Sequence, residues 1–299
     1  MDPQEERIAN ELSRNCKVIT TCFVGREVRE DTEFAGDPPG PYIHCQNFAT
    51  PERVLELVAY IYELERKIDP GVECDTVLVN NDVGWKRGNA YLESIRDTKV
   101  FAGRLRVIHR ENFGRSFGGY NKAYEVFGHR YRYWTFTEDD ILVLGHHYFR
   151  RCIETFEAQP DTGFVAIQGL SREIILHAHG GVGTTRIDVL DRVHRQFGKL
   201  PHCEQHEPQA YDDIVTRGEV AFTNAIRQIG YGLVEVKADQ PLYVYAYDHM
   251  RGRDHWDLLA QNGAWSVRHA RRRAFQVYAQ ARALGSRLKR LGRRSIRRV

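Results

Sequence analysis

Arg132-Tyr-Trp-Thr-Phe-Thr-Glu138-Asp139-Asp140-Ile-Leu-Val143 carries an aromatic, β-prone run straight into three consecutive carboxylates. Adjacent acids repel one another. The arrangement is explained by a divalent cation, which suits hard oxygen ligands, carrying a polyphosphate as its remaining ligands. A solvated turn after a strand is the simpler alternative for so short a motif. The sequence on either side favours the first reading.

Upstream, Lys17-Val-Ile-Thr-Thr-Cys-Phe-Val24 and Cys74-Asp-Thr-Val-Leu-Val79 are β-branched runs, the first ending at Gly25 and the second stopping at Asn80-Asn81-Asp82. Both are expected to be buried strands. Between them Thr50-Pro51-Glu52 opens a helix whose apolar positions are Val54, Leu57, Val58, Ile61 and Leu64. A third strand, Leu105–His109, leads into a glycine-rich turn and a helix around Tyr120–Phe127, and the run into the acids is a fourth. Strands alternating with helices predict an α/β fold with a mostly parallel central sheet flanked by helices, whose ligands bind at the carboxyl ends of the strands. Asp82, Asn112 and the acid triplet all fall at such ends. Downstream the spacing predicts a strand over Gly163–Gln168 and a helix near Arg186–Phe197. A helix then opens at Glu219 and ends at Gly230, and a strand follows from Gly232.

At 299 residues, 42% of them hydrophobic, the chain can bury a substantial core as one large domain or two small ones. Its net charge of +3 hides an asymmetry. No acid follows Asp257, residues 267–299 hold 12 Lys and Arg, and the remainder carries 31 basic against 40 acidic residues, a net −9. The basic tail therefore has an anionic partner of its own. Six scattered cysteines with no Cys-x-x-Cys pair argue against a zinc ribbon or a disulfide framework and are expected to be reduced and mostly buried. No apolar stretch approaches the roughly 20 residues of a membrane span, and Met1-Asp-Pro-Gln-Glu-Glu-Arg7 is unlike a signal peptide, so a cytoplasmic protein is expected.

The motifs together resemble the GT-A nucleotide-sugar glycosyltransferases, family-two-like, over roughly residues 16–250. Asn112-Phe-Gly114-Arg-Ser116-Phe-Gly-Gly-Tyr-Asn121 is similar to that family's Asn-x-Gly-x-Ser…Arg-Asn-x-Gly segment, with one extra residue and Tyr120 where arginine is usual. Glu138-Asp139-Asp140 is similar to its Asp-x-Asp element, in the Glu-Asp-Asp form of N-acetylglucosaminyltransferases. Gly218-Glu219…Gly230-Tyr231 resembles the acidic motif that opens a helix ending in Gly-Tyr. The resemblance implies a GT-A (Rossmann-like) domain over 1–257 with a basic helical extension over 258–299. It also implies Mn2+ or Mg2+ on Asp140, with Asp139 second and His249 as a further ligand. The implied donor is a UDP-sugar held by Asp82, Asn112, Gly114, Ser116, Asn121, Glu138 and Asp139, and the implied base is Glu219, with Asp213 and its neighbour Asp212 as alternatives. The expected reaction is sugar transfer to a hydroxyl of a glycan or lipid-linked acceptor, by inversion on the resemblance.

That chemistry needs a Lewis acid for the departing diphosphate and a carboxylate base on the other side of the sugar. Glu219, at a helix start, would be stabilised by the N-terminal dipole, although an ordinary first-turn glutamate reads the same way. Gly180-Gly181-Val-Gly183 reads as a phosphate loop, an acceptor wall or a plain turn. His202-Cys203-Glu-Gln-His206 holds three zinc-type ligands, but Pro201 and Pro208 disfavour the helix that would align them.

In the tail, Val277, Ala281, Leu284, Leu288 and Leu291 follow a 4-3-4-3 spacing, with Arg282, Arg287, Arg290, Arg293 and Arg294 on the other side. Such a C-terminal amphipathic basic helix lies on an anionic membrane surface, or packs on its own domain or on another subunit of a homo-oligomer. Nucleic acid is not an expected partner, because the rest of the chain is acidic. The competing functions are a sugar nucleotidyltransferase, disfavoured because the first strand lacks a Gly-x-Gly…Arg loop, and a non-catalytic carbohydrate- or membrane-binding protein. A dehydrogenase is disfavoured because no Gly-x-Gly-x-x-Gly follows the first strand.

Overall fold

The computed structural model describes residues 15–24, 50–171, 176–203, 215–239 and 241–245. All lie in the first of the two units into which the chain divides, Met1–His249. The expected 258–299 extension, His249, His206, Asp212 and Asp213 fall outside the described residues.

The elements are β1 (Asn15–Thr21), α1 (Pro51–Lys67), β2 (Asp75–Asp82), α2 (Lys86–Ile95), β3 (Leu105–Glu111), α3 (Arg115–Phe127), β4 (Tyr133–Glu138), β5 (Ile141–Val143), α4 (Tyr148–Glu157), β6 (Thr162–Ala166), β7 (Leu170–Ser171), β8 (His177–Ala178), β9 (Gly183–Arg186), α5 (Ile187–Phe197), α6 (Ala221–Gln228), β10 (Gly232–Glu235) and β11 (Tyr243–Tyr245). Seven strands form one sheet in the order β10-β6-β9-β4-β1-β2-β3. Only β9 runs against its neighbours, pairing antiparallel with β4 and β6. The expected class, α/β with a mostly parallel sheet flanked by helices, is the one observed. β1 is buried along its whole length, as are five of the six residues of β4. That is the pattern of a strand covered on both faces, and it is why the sequence shows continuous apolar runs there in place of alternation.

β1, β2, β3 and β4 run parallel, so their carboxyl ends share one edge. Glu138, the last residue of β4, pairs with Thr20 of β1. β2 does not stop at Asn80. It carries Asn80, Asn81 and Asp82 into the ladder opposite His109, Arg110 and Glu111. Within this buried strand the Asn80 amide nitrogen and the Asn81 amide oxygen have partners. Asn80 Nδ2 donates to Asn89 Oδ1 (2.8 Å), and Arg110 Nη1 donates to Asn81 Oδ1.

Four of the five described cysteines are buried and none is in a disulfide. Among the described residues no helix is long and apolar enough to cross a membrane.

At the opposite end of the sheet, Lys17 of β1 is 2% exposed and paired with Glu65 of α1, which also accepts from Thr76 Oγ1 (2.7 Å). Breaking a buried pair leaves a lone charge, whereas removing both charges does not. Lys17→Met is therefore expected to lower stability by about 3 kcal/mol, and Lys17→Met/Glu65→Leu to recover most of that loss, measured by urea unfolding.

Candidate active site

The acids occupy the turn between β4 and β5, and β1 holds that turn down. Asp139 N donates to Thr20 O (3.0 Å), and Thr21 Oγ1 donates to Asp139 Oδ2 (2.7 Å). Asp139 is 7% exposed. Its carboxylate thus anchors the turn, while Glu138 and Asp140 are half-buried on either side of it.

The neighbouring strand ends carry the other candidates. Asp82 accepts from Gly84 N (2.7 Å) and Asn89 Nδ2 (3.0 Å to each carboxylate oxygen). Asn89, then the backbone amides of Gly84 and Val83, hold its carboxyl below the usual range against the opposing effect of burial. Asn112, just past β3, reaches Cys22 Sγ, just past β1, at 3.5 Å. Val24 and Val83, just past β1 and β2, are 40% and 43% exposed, and Trp85 packs on Phe23 at 5.4 Å between ring centroids.

The Asn112–Asn121 motif forms a turn and the start of α3. Gly114 is left-handed (φ 69°), and a Cβ there would meet His202 Cδ2 at 2.4 Å, so both conformation and space require glycine. Arg110 Nη2 donates to Phe113 O and pins this turn. Ser116 is half-buried in the first turn of α3. Asn121 works within the protein: Oδ1 accepts from Leu200 N (2.8 Å), and Nδ2 donates to Glu125 Oε1 (2.7 Å). This lays residues 200–203 against the turn, with His202 edge-on to Phe113 at 5.9 Å. His202 Nδ1 lies 2.7 Å from Leu200 O and Cys203 is buried, so this segment serves packing among the described residues.

Tyr120, at the usual arginine position, is fully buried. Burial first, and then the carboxylates of Glu138 and Asp140, push its phenol well above its ordinary value. It belongs to an aromatic floor with Phe117 (5.2 Å), Phe136 (4.7 Å) and Phe222 (6.2 Å). At the far side of that floor a Cβ on Gly218 would lie 2.7 Å from the Phe117 ring, as would one on left-handed Gly181 (φ 62°). The glycines let the Gly180–Gly183 turn and the backbone before Glu219 close onto Phe117.

Glu219 is not in the first turn of a helix. A π-helical turn, Val215–Val220, precedes α6 and runs into it, so Glu219 lies inside a helical segment and the N-terminal dipole does not account for it. Single π turns recur at functional sites. Glu219 is 8% exposed, and its Oε1 is 3.3 Å from Nε2 of His177, itself 4% exposed, on β8. The sequence reading missed His177 and Arg110. His177 stands 42 residues from its partner in a two-residue strand, which leaves no periodicity to read.

No protein-family model and no curated protein matches the chain. It is similar in outline to several solved structures. A mannosyltransferase from Pyrobaculum calidifontis in complex with GDP-Man and Mn2+ is 15% identical, with TM-score 0.45 over 88% of this chain and 66% of that one. A cytidylyltransferase from Leptospira borgpetersenii serovar Hardjo-bovis is 11% identical, with TM-score 0.41 over 77% and 78%. A Drosophila galactosyltransferase in complex with manganese, UDP-Gal and xylobiose is 11% identical, with TM-score 0.38 over 81% and 73%. At these identities and scores the likeness carries no argument about activity.

Two outcomes are expected of this geometry. Thr21→Val, which removes the donor to buried Asp139, costs about 1–3 kcal/mol in chemical denaturation. Because the folded Asp82 value lies below the unfolded one, near 3.9, its stabilisation is present above that pH and is lost as pH falls through the folded value. Asn89→Leu raises the Asp82 midpoint in a carboxyl-carbon NMR titration and weakens that acid-side dependence.

Proposed function

We propose that the chain is a metal-dependent glycosyltransferase that moves a sugar from a nucleotide diphosphate, a UDP-sugar by the motif resemblance, to a hydroxyl of a glycan or lipid-linked acceptor. The observation that carries this reading is the aromatic floor. Tyr120 of that floor packs on Phe136 of β4, the strand that leads into the acid turn, and Phe117 lies against Gly218, the neighbour of Glu219, which supports assigning the acids to the diphosphate side and Glu219 to the base side.

Among the described residues no three His, Cys, Asp or Glu side chains converge as a cage for a metal. Mg2+ and similar hard ions with nucleotide substrates need only one or two carboxylates, with phosphate oxygens completing the shell. Asp140, with Asp139 second, would hold such an ion, and their carboxylate oxygens are the hard donors it takes. When bound there, the ion offsets charge gathering on the departing diphosphate.

The chain's own residues do the rest. Asp82 receives the nucleoside, and Asn112 and Ser116 contact the nucleotide sugar. Glu219 takes the proton from the acceptor hydroxyl. The acceptor oxygen then forms its bond to the anomeric carbon as the bond from that carbon to the diphosphate breaks, the electron pair leaving with the nucleotide. In-line displacement of this kind inverts the anomeric centre. The basic tail serves as the contact with an anionic membrane that presents a lipid-linked acceptor. Asp213 and His249 retain their expected roles as alternative base and further metal ligand.

With Mn2+ and a panel of nucleotide sugars, wild type is expected to release one nucleotide diphosphate. Glu219→Gln should lower turnover about 10²–10⁴-fold with donor binding retained, while Asp140→Ala should weaken metal-dependent donor binding as well. Equal turnover by Glu219→Gln and wild type would remove the base from this scheme.

A further inference from the structure

We infer that His177 is the positioning residue of the base: its imidazole holds Glu219 by Oε1 and thereby turns Oε2 toward the acceptor hydroxyl. This rests on the glycosyl-transfer reading above. The geometry is specific. Nε2 of His177 lies 3.3 Å from Oε1, and the two side chains are 5% and 10% exposed. Their chain neighbours Ala178 and Val220 are buried apolar residues. A carboxylate in such surroundings is costly unless a donor meets it, and His177 meets it with the nitrogen that carries the proton in both the Nε2–H tautomer and the imidazolium.

The local fold is arranged around this contact. β7 and β8 are only two residues each, and Ser171 pairs with His177 in their ladder, which fixes the height of the imidazole. From the other side, the π turn sets Glu219 two residues before the start of α6, and Thr223 Oγ1 donates to the Glu219 carbonyl (3.2 Å), so backbone and side chain are both restrained. An ordinary surface glutamate would have neither restraint. A base held by one oxygen presents the other in a single orientation, and correct orientation is a large part of what a general base contributes.

The test compares His177→Leu, His177→Gln, Glu219→Gln and His177→Leu/Glu219→Gln in the full-length chain. Mn2+-dependent hydrolysis of a UDP-hexose panel supplies turnover, and calorimetry with UDP and Mn2+ supplies donor-side affinity. His177→Leu is expected to lower kcat on the order of ten- to a hundredfold, the usual effect of removing an orienting partner, with UDP affinity unchanged. His177→Gln, whose amide can donate in place of Nε2, should restore a large part of kcat. In the Glu219→Gln background, removal of His177 should change kcat no further, which a merely structural residue would not obey. Should His177→Leu fail to fold with the carboxylate stranded, the charge-free double variant and His177→Gln still decide the question. Full kcat in folded His177→Leu, or losses that multiply in the double variant, would overturn the assignment while leaving glycosyl transfer standing. Absence of any diphosphate release by wild type would instead remove the underlying reading and the assignment with it.

Discussion

The hydrogen bond from Thr21 Oγ1 to Asp139 Oδ2, with the Asp139 N–H on Thr20 O, is the constraint from which the candidate site follows. Three carboxylates in sequence would otherwise splay apart at the end of a strand. Burying the middle one against β1 spends its charge on a fixed donor and fixes the turn. Glu138 and Asp140, its neighbours on either side, thereby stay at the edge where β1, β2 and β3 also end. The parallel ladder supplies the rest of the alignment, because its register sets Glu138 beside Thr20 and Asp82 opposite Glu111.

The second half of the site is joined to the first by aromatic packing. Phe117 and Tyr120 stand three residues apart on α3 and so share a face of the helix. Tyr120 packs on Phe136 of the strand that leads into the acids, and Phe117 lies against Gly218 and Gly181. A phenol at position 120 fills this buried aromatic volume without a net charge.

The fold was legible because its signals are local. β-branched runs, the Thr50-Pro51-Glu52 helix start and the acids at a strand end each declare themselves within a few residues. What could not be read depends on distant partners. Asn80–Asp82 look like a stop signal, yet they extend β2, with Asn80 Nδ2 on Asn89, Asn81 Oδ1 on Arg110, and Asp82 turned back onto Gly84 and Asn89. Glu219 looks like a helix-opening acid, yet a π turn precedes α6 and gives it a side-chain partner, not a dipole. Asn121 sits in a motif that suggests ligand binding, and its amide instead secures Leu200. In each case the residue type was visible and its partner was not, since the partner came from an element that no periodicity connects to it.

Calorimetric titration of wild type with UDP, GDP and ADP, each with and without Mn2+, shows whether the acid turn receives a diphosphate together with a divalent ion. One of the three is expected to bind in the presence of Mn2+ and to lose that binding when the ion is removed. Binding of none of them under either condition, or equal binding in both, would contradict this expectation.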